Sequence, residues 1–343
     1  MASLKVAVVG VGKVAQNSYL PFLSNAPGVT LGYLSRSSDR AEAAAAKFGG
    51  QVFDSPAALM GWVPDTVFIL TREMDRFDAT LAVLEHNPKR LFLEKPLVAR
   101  NGQEQVTEQD FNDGQRLIRE AERRGCETAM IFNYRFFDHT LLARRIAAER
   151  DFGSVVSVVG QAHYACWSHC IDLIHHFAGL IDVVSAQAGT VTRTAGSTAG
   201  ALTSPDLAAT FQTAGGATGT LLGTNALAWE FPLFDLAFNF ERGRVRMQDL
   251  DGDLEIMDAR RSDHERYGIP RGRSRWDQYT ASFGKSIAAY LDAIRQGQPP
   301  PIPGLAGLLE LQVEAGFNRS IAQCRPVRLA EEFPVPTAAP GAW

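Results

Sequence analysis

Residues 5–15, KVAVVGVGKVA, decide the fold. The first half is a short β-branched run, which is typical of a strand buried in a parallel sheet. Small residues then form the pattern G-x-G-x-x-A where a helix is expected to begin. They allow a tight turn, a close approach to a pyrophosphate and close helix packing. The alternative is a tight turn without a ligand. The pattern favours a dinucleotide-binding turn made of Gly10, Gly12, Lys13, Val14 and Ala15.

Strands and helices alternate from this turn to residue 132. Strands are predicted at 29–34, 66–70, 90–93 and 128–132, and helices at 39–48, 79–85 and 110–124. This alternation predicts an α/β unit with a doubly wound parallel sheet, a Rossmann domain over residues 1–132.

The order of predicted strands and helices changes in the second part of the chain. Strands are predicted at 155–161, 185–193, 207–213, 218–225, 235–241 and 244–249, with few helices between them. Helices are predicted at 171–177, 276–295 and 307–323. We expect an α+β domain over residues 133–343 with a large open, mostly antiparallel sheet, and a final helix that packs back on the first domain.

Composition excludes several classes of protein. The chain has 343 residues, enough for two domains of ~100–200 residues each. A formal net charge of −4 gives no electrostatic reason to expect nucleic acid or an anionic membrane as a partner. No stretch approaches the ~20 apolar residues of a membrane span, and the N-terminal apolar run is too short for a signal peptide. Four cysteines are too few for a disulfide framework, so we expect a cytosolic protein.

The end of the second strand bears on the choice of cofactor. An acidic residue there usually accepts hydrogen bonds from the ribose diol of NAD(H). This chain has no acid at that point, and a carboxylate would repel a 2′-phosphate. Two serines can donate hydrogen bonds to such a phosphate, and an arginine can bind it through two parallel hydrogen bonds from its guanidinium. We therefore predict a preference for NADP(H), with NAD(H) as the alternative, from Ser35, Arg36 and Ser37.

The motif Glu94-Lys95-Pro96 follows a predicted buried strand, at the edge where open α/β sheets bind ligands. Together with the glycine turn, it resembles the glucose–fructose oxidoreductase / inositol dehydrogenase family. Further segments resemble that family in the same order: 65–71 (DTVFILT), 133–136 (NYRF), 242–247 (RGRVRM) and 301–304 (PIPG). The resemblance implies a second-domain sheet that faces the cofactor, and activity on a carbon that bears oxygen. It also implies cofactor contacts from Thr71, Glu94, Lys95 and Pro96, and substrate contacts from Tyr134 and Arg135.

The resemblance also implies roles for three further residues. Lys95 would lie near the substrate hydroxyl, where an ammonium polarises a carbonyl or takes part in proton transfer. The alternative for Lys95 is a structural salt bridge. His169 matches the family's proton-transfer histidine, and Asp172 would orient it or bind a substrate hydroxyl.

One departure from the family affects this site. The family's earlier aspartate falls on Ala165, and the loop before His169 is short. Three interpretations of His169 remain: action with Asp172 alone, a substrate contact beside Lys95, or a site that has lost its usual chemistry. The simplest alternative is a structural histidine at the start of a helix, with the hydrogen bonds of its ring satisfied. Tyr164 and Trp167 are predicted to stack on the substrate, with core packing an equal alternative. We expect no metal, because Cys166, Cys170 and His163 lack a second cysteine pair at ligand spacing.

These observations predict an NADP(H)-dependent oxidoreductase that transfers hydride to or from a sugar, a cyclitol or a sugar derivative. Two alternatives stay open. One is a reductase of a non-sugar carbonyl or imine, for which a short loop leaves an open cleft. The other is a non-catalytic NADP-binding regulatory protein. The family resemblance also implies a homodimer or homotetramer, in which sheets pack across subunits.

Overall fold

The computed structural model describes residues 3–196, 201–249 and 252–336. The first part of the chain forms a parallel sheet of β1 (Leu4–Val9), β2 (Val29–Leu34), β3 (Gln51–Phe53), β4 (Thr66–Ile69), β5 (Arg90–Leu93) and β6 (Glu127–Met130). Its strand order is β3-β2-β1-β4-β5-β6. The order reverses between β1 and β4, which is where open α/β sheets bind ligands. The predicted Rossmann architecture is confirmed.

Helices cover both faces of this sheet. A π-helical turn at Ala15–Tyr19 leads into the first helix. The helices are α1 (Leu20–Leu23), α2 (Ser38–Phe48), α3 (Pro56–Gly61), α4 (Glu73–Leu84) and α5 (Glu108–Arg123). α5 begins with a capping box in which the side chains of Thr107 and Asp110 each accept from the other's backbone N–H.

The second sheet has nine strands: β7 (Val155–His163), β8 (Ile181–Gly196), β9 (Ala201–Thr213), β10 (Thr218–Thr224), β11 (Phe234–Phe240), β12 (Gly243–Gln248), β13 (Leu254–Asp258), β14 (Asp263–Tyr267) and β15 (Val327–Arg328). Their order is β14-β13-β12-β11-β7-β10-β9-β8-β15. β7 and β10 pair in parallel and the other neighbours are antiparallel. The prediction of a large, mostly antiparallel sheet is confirmed.

The later helices connect the two sheets. They are α6 (Asp138–Glu149), α7 (Trp167–Ala178), α8 (Arg275–Gln296), α9 (Leu305–Gln323) and α10 (Leu329–Glu332). α8 returns to the first sheet, where the Tyr290 ring packs against Phe68 and Phe92. α9 lies so close to α5 that a Cβ at Gly114 would be 2.9 Å from the Leu311 side chain. A Cβ at Gly316 would be 3.0 Å from Val184 on β8, so α9 contacts both halves of the chain.

Several element bounds differ from those predicted. α4 begins at Glu73, six residues before the predicted start, because Arg76 and Phe77 in its first turns are buried. α6 was not predicted, since its sequence mixes charged and apolar residues evenly. β8 extends from Ile181 to Gly196, well beyond the predicted strand, and its outer half is exposed.

No helix in the described parts of the chain is both long and apolar enough to cross a membrane.

Candidate active site

The glycine turn follows β1 at the point where the sheet order reverses. Gly10 has a φ of +92°, and a Cβ there would lie 2.8 Å from the backbone nitrogen of Thr71. A Cβ at Gly12, by contrast, would meet nothing within 4 Å. The buried hydroxyl of Thr71 has no hydrogen-bond partner among the described residues. An open backbone approach and an unsatisfied hydroxyl beside it fit a dinucleotide cofactor.

The two glycines offer a matched pair of variants. Gly10→Ala is expected to lower both the melting temperature and NADPH affinity, because its Cβ collides with the backbone of Leu70 and Thr71 just after β4 and its φ is strained. Gly12→Ala is expected to lower NADPH affinity by about tenfold or more with the melting temperature nearly unchanged, because its Cβ occupies space that a phosphate needs. Differential scanning fluorimetry and NADPH fluorescence titration measure the two effects. Unchanged NADPH affinity in Gly12→Ala would contradict the assignment of this turn.

The residues after β2 lie on the surface. Arg36 forms a two-pronged ion pair with Asp75 on α4, with nitrogen–oxygen distances of 3.2 and 2.8 Å. The Arg36 side chain is 84% exposed, and an exposed ion pair of this kind contributes little to stability. The hydroxyl of Ser35 accepts a hydrogen bond from the Ser37 backbone at 3.4 Å. Sequence reasoning missed Asp75, because it lies 39 residues from Arg36.

Glu94 anchors the loop after β5. Its carboxylate accepts hydrogen bonds from the Tyr19 hydroxyl at 3.0 Å and from the Lys95 backbone N–H at 2.5 Å. Burial raises the pKa of Glu94, while the positive charges of Arg76 and Lys95 lower it. Tyr19 ends the π-helical turn that follows the glycine turn. Its hydrogen bond with Glu94 therefore connects that helical turn to the loop that carries Lys95.

Arg76 is a second anchor that sequence reasoning missed. Its buried guanidinium donates to the backbone oxygen of Pro96, and to that of Thr71 at 2.9 Å. It therefore holds the ends of β4 and β5 together. The peptide bond between Lys95 and Pro96 is cis. The signal in the sequence was an arginine on the buried side of α4, which it shares with Phe77 and Thr80.

Lys95 points towards the second domain. Its ammonium donates to the side-chain oxygen of Gln103 at 3.0 Å and to the backbone oxygen of Ala165 at 3.4 Å. Both partners are neutral, so these contacts differ from the salt bridge considered as an alternative. An ammonium has three N–H donors, and these contacts use two.

His169 lies in the first turn of α7 and is 3% exposed. Its ring stacks on the Tyr134 ring, with centroids 3.9 Å apart and planes 9° apart. Its Nδ1 atom is buried and has no hydrogen-bond partner within the described chain. Burial holds the pKa of His169 well below its ordinary value, and the positive charge of Lys95 lowers it further. The imidazole is therefore neutral at neutral pH and near enough to Lys95 to sense its charge.

Asp172 is paired with Arg135. Nε and Nη2 of Arg135 donate to the two carboxylate oxygens at 2.8 and 2.6 Å, and the side chains are 8% and 1% exposed. Burial raises the pKa of Asp172, and the Arg135 charge opposes that rise. Sequence reasoning missed this pairing. The predicted orienting role of Asp172 and the predicted substrate contact of Arg135 stay predictions, and both would act from within this ion pair.

The other predicted substrate residues are also buried. The Tyr134 hydroxyl lies 3.2 Å from the Cys166 sulfur, and the Tyr164 hydroxyl donates to the Pro205 oxygen at 2.8 Å. Trp167 is 2% exposed. Burial raises the pKa of Cys166 to about 12, which keeps it a thiol. In the described ranges, no group of three or more His, Cys, Asp or Glu side chains could hold a metal ion.

An aromatic cavity of about 480 Å³ lies beside this centre. Its walls include Trp229 and Trp276, whose rings stack with centroids 6.1 Å apart, and the arginines Arg273 and Arg275. The Trp229 ring lies 5.8 Å from the ring of His163, which accepts a hydrogen bond from the Ala165 backbone. Since the Ala165 oxygen accepts from Lys95, the cavity wall and Lys95 contact the same short segment, residues 163–165.

Comparison with known families agrees with this arrangement over the first domain. Residues 4–132 match the model of an oxidoreductase family with an NAD-binding Rossmann fold, the glucose–fructose oxidoreductase / inositol dehydrogenase family. Over residues 4–132 the chain is therefore similar to this family. The resemblance drawn from the glycine turn and Glu94-Lys95-Pro96 is thereby confirmed. No curated protein sequence matches the chain significantly.

Solved structures extend the likeness of fold to nearly the whole chain. An oxidoreductase from Agrobacterium radiobacter in complex with NAD⁺, L-tartaric acid and magnesium has a TM-score of 0.78 at 15% identity, and covers 96% of this chain and 99% of its own. UDP-N-acetylglucosamine 3-dehydrogenase from Acidithiobacillus ferrooxidans has a TM-score of 0.73 at 18% identity, with coverages of 94% and 99%. The WlbA dehydrogenase from Bordetella pertussis, in complex with NADH and UDP-GlcNAcA, has a TM-score of 0.72 at 16% identity, with coverages of 95% and 98%. At these identities the likeness shows the fold of this family.

Proposed function

We propose that this protein is an NADP(H)-dependent oxidoreductase that acts on a hydroxyl or carbonyl carbon of a sugar, a cyclitol or a sugar derivative. The observation that carries the proposal is the position of Lys95. Lys95 lies in the loop after β5, its ammonium donates to the neutral oxygens of Gln103 and Ala165, and its charge acts on the neutral imidazole of His169. Hydride transfer is the chemistry that a bound nicotinamide cofactor supplies.

Lys95 and His169 have different roles at the substrate oxygen. The remaining N–H of Lys95 donates to that oxygen and stabilises the negative charge that develops there. His169 accepts the hydroxyl proton during oxidation, because a base must be unprotonated before it can act. The low pKa of His169 keeps it in that state at neutral pH.

The aromatic cavity supports a sugar-like substrate. Tryptophan rings stack on the apolar faces of sugars, and arginines bind carboxylate or phosphate substituents. Trp229 and Trp276 supply the rings and Arg273 supplies the charge, whereas Arg275 is paired with Asp249 at 3.6 Å. The two nucleotide-sugar relatives and the tartaric acid complex agree with a polar, anionic substrate.

The cofactor preference is tested by titrating cofactor-stripped protein with NADPH and NADH. We expect NADPH to bind more tightly, because Arg36 can exchange its weak surface pairing with Asp75 for a 2′-phosphate. Arg36→Ala is expected to weaken NADPH binding by roughly tenfold and to leave NADH binding nearly unchanged. Lys47→Ala, at the far end of α2, is the matched control. Tighter binding of NADH by the unmodified protein would contradict the preference.

One observation favours a second candidate function. Asp172 is engaged with Arg135, and Nδ1 of His169 has no partner among the described residues. A histidine without a carboxylate partner fits a non-catalytic NADP-binding regulatory protein as well as an enzyme. Replacing Lys95 by methionine distinguishes the two functions, because only an enzyme loses turnover in that variant.

We also propose that the protein assembles as a homodimer or homotetramer through the outer face of its nine-stranded sheet. That face is open, with Val159 54% exposed and Leu222 39% exposed. A shallow groove of about 530 Å³ crosses it. Large open sheet faces usually pack against another layer.

A further inference from the structure

Two carboxyl side chains lie on α9, one buried (Glu310) and one half-buried (Glu314). Glu310 and Glu314 are one helical turn apart, so their side chains lie on the same face of the helix. Glu310 is 0% exposed, and neither of its carboxyl oxygens accepts a hydrogen bond from a donor within the described residues. Buried carboxyl groups are almost always paired with a cation or satisfied by hydrogen bonds. The proposed roles of the site residues do not account for this exception.

The packing of α9 puts this pair behind Lys95. A Cβ at Gly307 would lie 3.1 Å from the Cβ of Leu97, two residues after Lys95. Glu310 is three residues beyond Gly307 and shares its face of the helix. At the other end, the Phe317 ring lies 6.0 Å from the Trp167 ring at the start of α7. The carboxyl pair is thus between the Lys95 loop and α7, which carries His169.

We infer that Glu310 and Glu314 share a proton and act together as positioning residues that control the electric field around Lys95. This inference rests on the proposed function, since it assigns the pair an effect on turnover. Two carboxylates one helical turn apart in a largely buried position repel each other, and a proton held between them supplies the hydrogen bond that Glu310 otherwise lacks.

The electrostatic surroundings support a shared proton. Burial raises the pKa of Glu310 to about 7, and burial and the Glu310 charge raise that of Glu314 well above its ordinary value. Lys95 opposes the rise at Glu310, whereas Asp172 on α7 reinforces it. Asp110 on α5 reinforces the rise at Glu314, and a hydrogen bond with Trp167 opposes it. As pH rises through about 7, a negative charge appears behind Lys95 and weakens its positive field at the substrate oxygen.

The test compares the pH dependence of kcat in the unmodified protein, in Glu310→Gln and in Glu331→Gln. Glutamine keeps the shape of the side chain, and its amide can donate to Glu314. We expect an ionisation near 7 in the unmodified protein and in Glu331→Gln, whose side chain is exposed on α10. In Glu310→Gln this ionisation is expected to disappear or to shift by about one unit or more, with NADPH affinity unchanged within about threefold. A pH profile of Glu310→Gln that superimposes on that of the unmodified protein would overturn the inference.

A second measurement does not depend on turnover or on the folding of a variant. Carbon-13 NMR of the unmodified protein, labelled at glutamate carboxyl carbons, follows each titration directly. Two coupled resonances, one of them titrating near 7, are expected. Independent titration of every glutamate near its ordinary value would refute the shared proton. Coupled resonances in a protein that turns over no substrate would refute the proposed function and the effect on turnover, while leaving the shared proton established.

Discussion

Replacing Lys95 by methionine is expected to reduce kcat by about 10²–10⁴-fold and to leave NADPH affinity within a few-fold of its original value. Methionine keeps the length and the apolar stem of lysine and removes only the charged donor. The loss falls on kcat because the developing charge on the substrate oxygen exists mainly in the transition state. Glu94 and Arg76 hold the loop independently of the Lys95 ammonium, so the cofactor turn keeps its shape.

Steady-state kinetics over a panel of sugars, cyclitols and their acids measures this effect, with NADPH fluorescence as the check on cofactor binding. Lys89→Met is the matched control, because Lys89 is exposed in the loop before β5. Equal kcat in Lys95→Met and in the unmodified protein would refute the role of Lys95. Tight NADPH binding with no turnover by the unmodified protein on any substrate would favour the regulatory alternative.

The sequence predicted those parts of the candidate site that are formed by residues adjacent in the chain. The glycine turn is a local pattern, because a strand, a turn and a helix start follow one another within a dozen residues. Glu94-Lys95-Pro96 was recognised for the same reason, since it directly follows the buried strand β5. Each motif follows directly after a strand of the parallel sheet. The carboxyl ends of parallel strands lie at the same edge of the sheet, so the fold brings the two motifs close together.

The partners of the site residues depend on the tertiary fold. Arg135 and Asp172 are 37 residues apart, and a sequence gives no distance between a segment after β6 and a helix after β7. The same limit applies to Arg76, whose guanidinium joins two loop ends. Glu310 and Glu314 did leave a signal: two acids one turn apart in the mostly apolar segment LLELQVEAGF are hard to explain as solvated residues.

The hydrogen bond between Tyr19 and Glu94 couples the positions of two loops at the edge of the sheet. The glycine turn and the Lys95 loop are joined through buried groups, so a displacement of one is transmitted to the other. Under the proposed function, cofactor phosphates at the glycine turn would constrain the loop that carries Lys95. Hydrogen bonds between buried groups behind reacting residues hold those residues to the small tolerances that catalysis needs.

Replacing Asp172 by asparagine is expected to lower the free energy of unfolding by about 3–5 kcal/mol. The variant leaves the Arg135 guanidinium buried without its counter-charge, and an amide cannot accept two charge-assisted hydrogen bonds from it. Urea unfolding followed by tryptophan fluorescence measures the change. Glu149→Gln breaks an exposed ion pair with Arg145 on α6 and is expected to leave the free energy of unfolding nearly unchanged.

The double variant Arg135→Met/Asp172→Leu separates the cost of an unpaired charge from the value of the pair. Apolar replacements of similar volume need no desolvation of charge, so most of the lost stability is expected to return. If stability returns without turnover, the ion pair has a role beyond folding, because Asp172 lies one turn after His169 on α7 and holds that helix against Arg135. Recovery of both stability and turnover would make the pair purely structural, and the proton transfer would then belong to His169 and Lys95 alone.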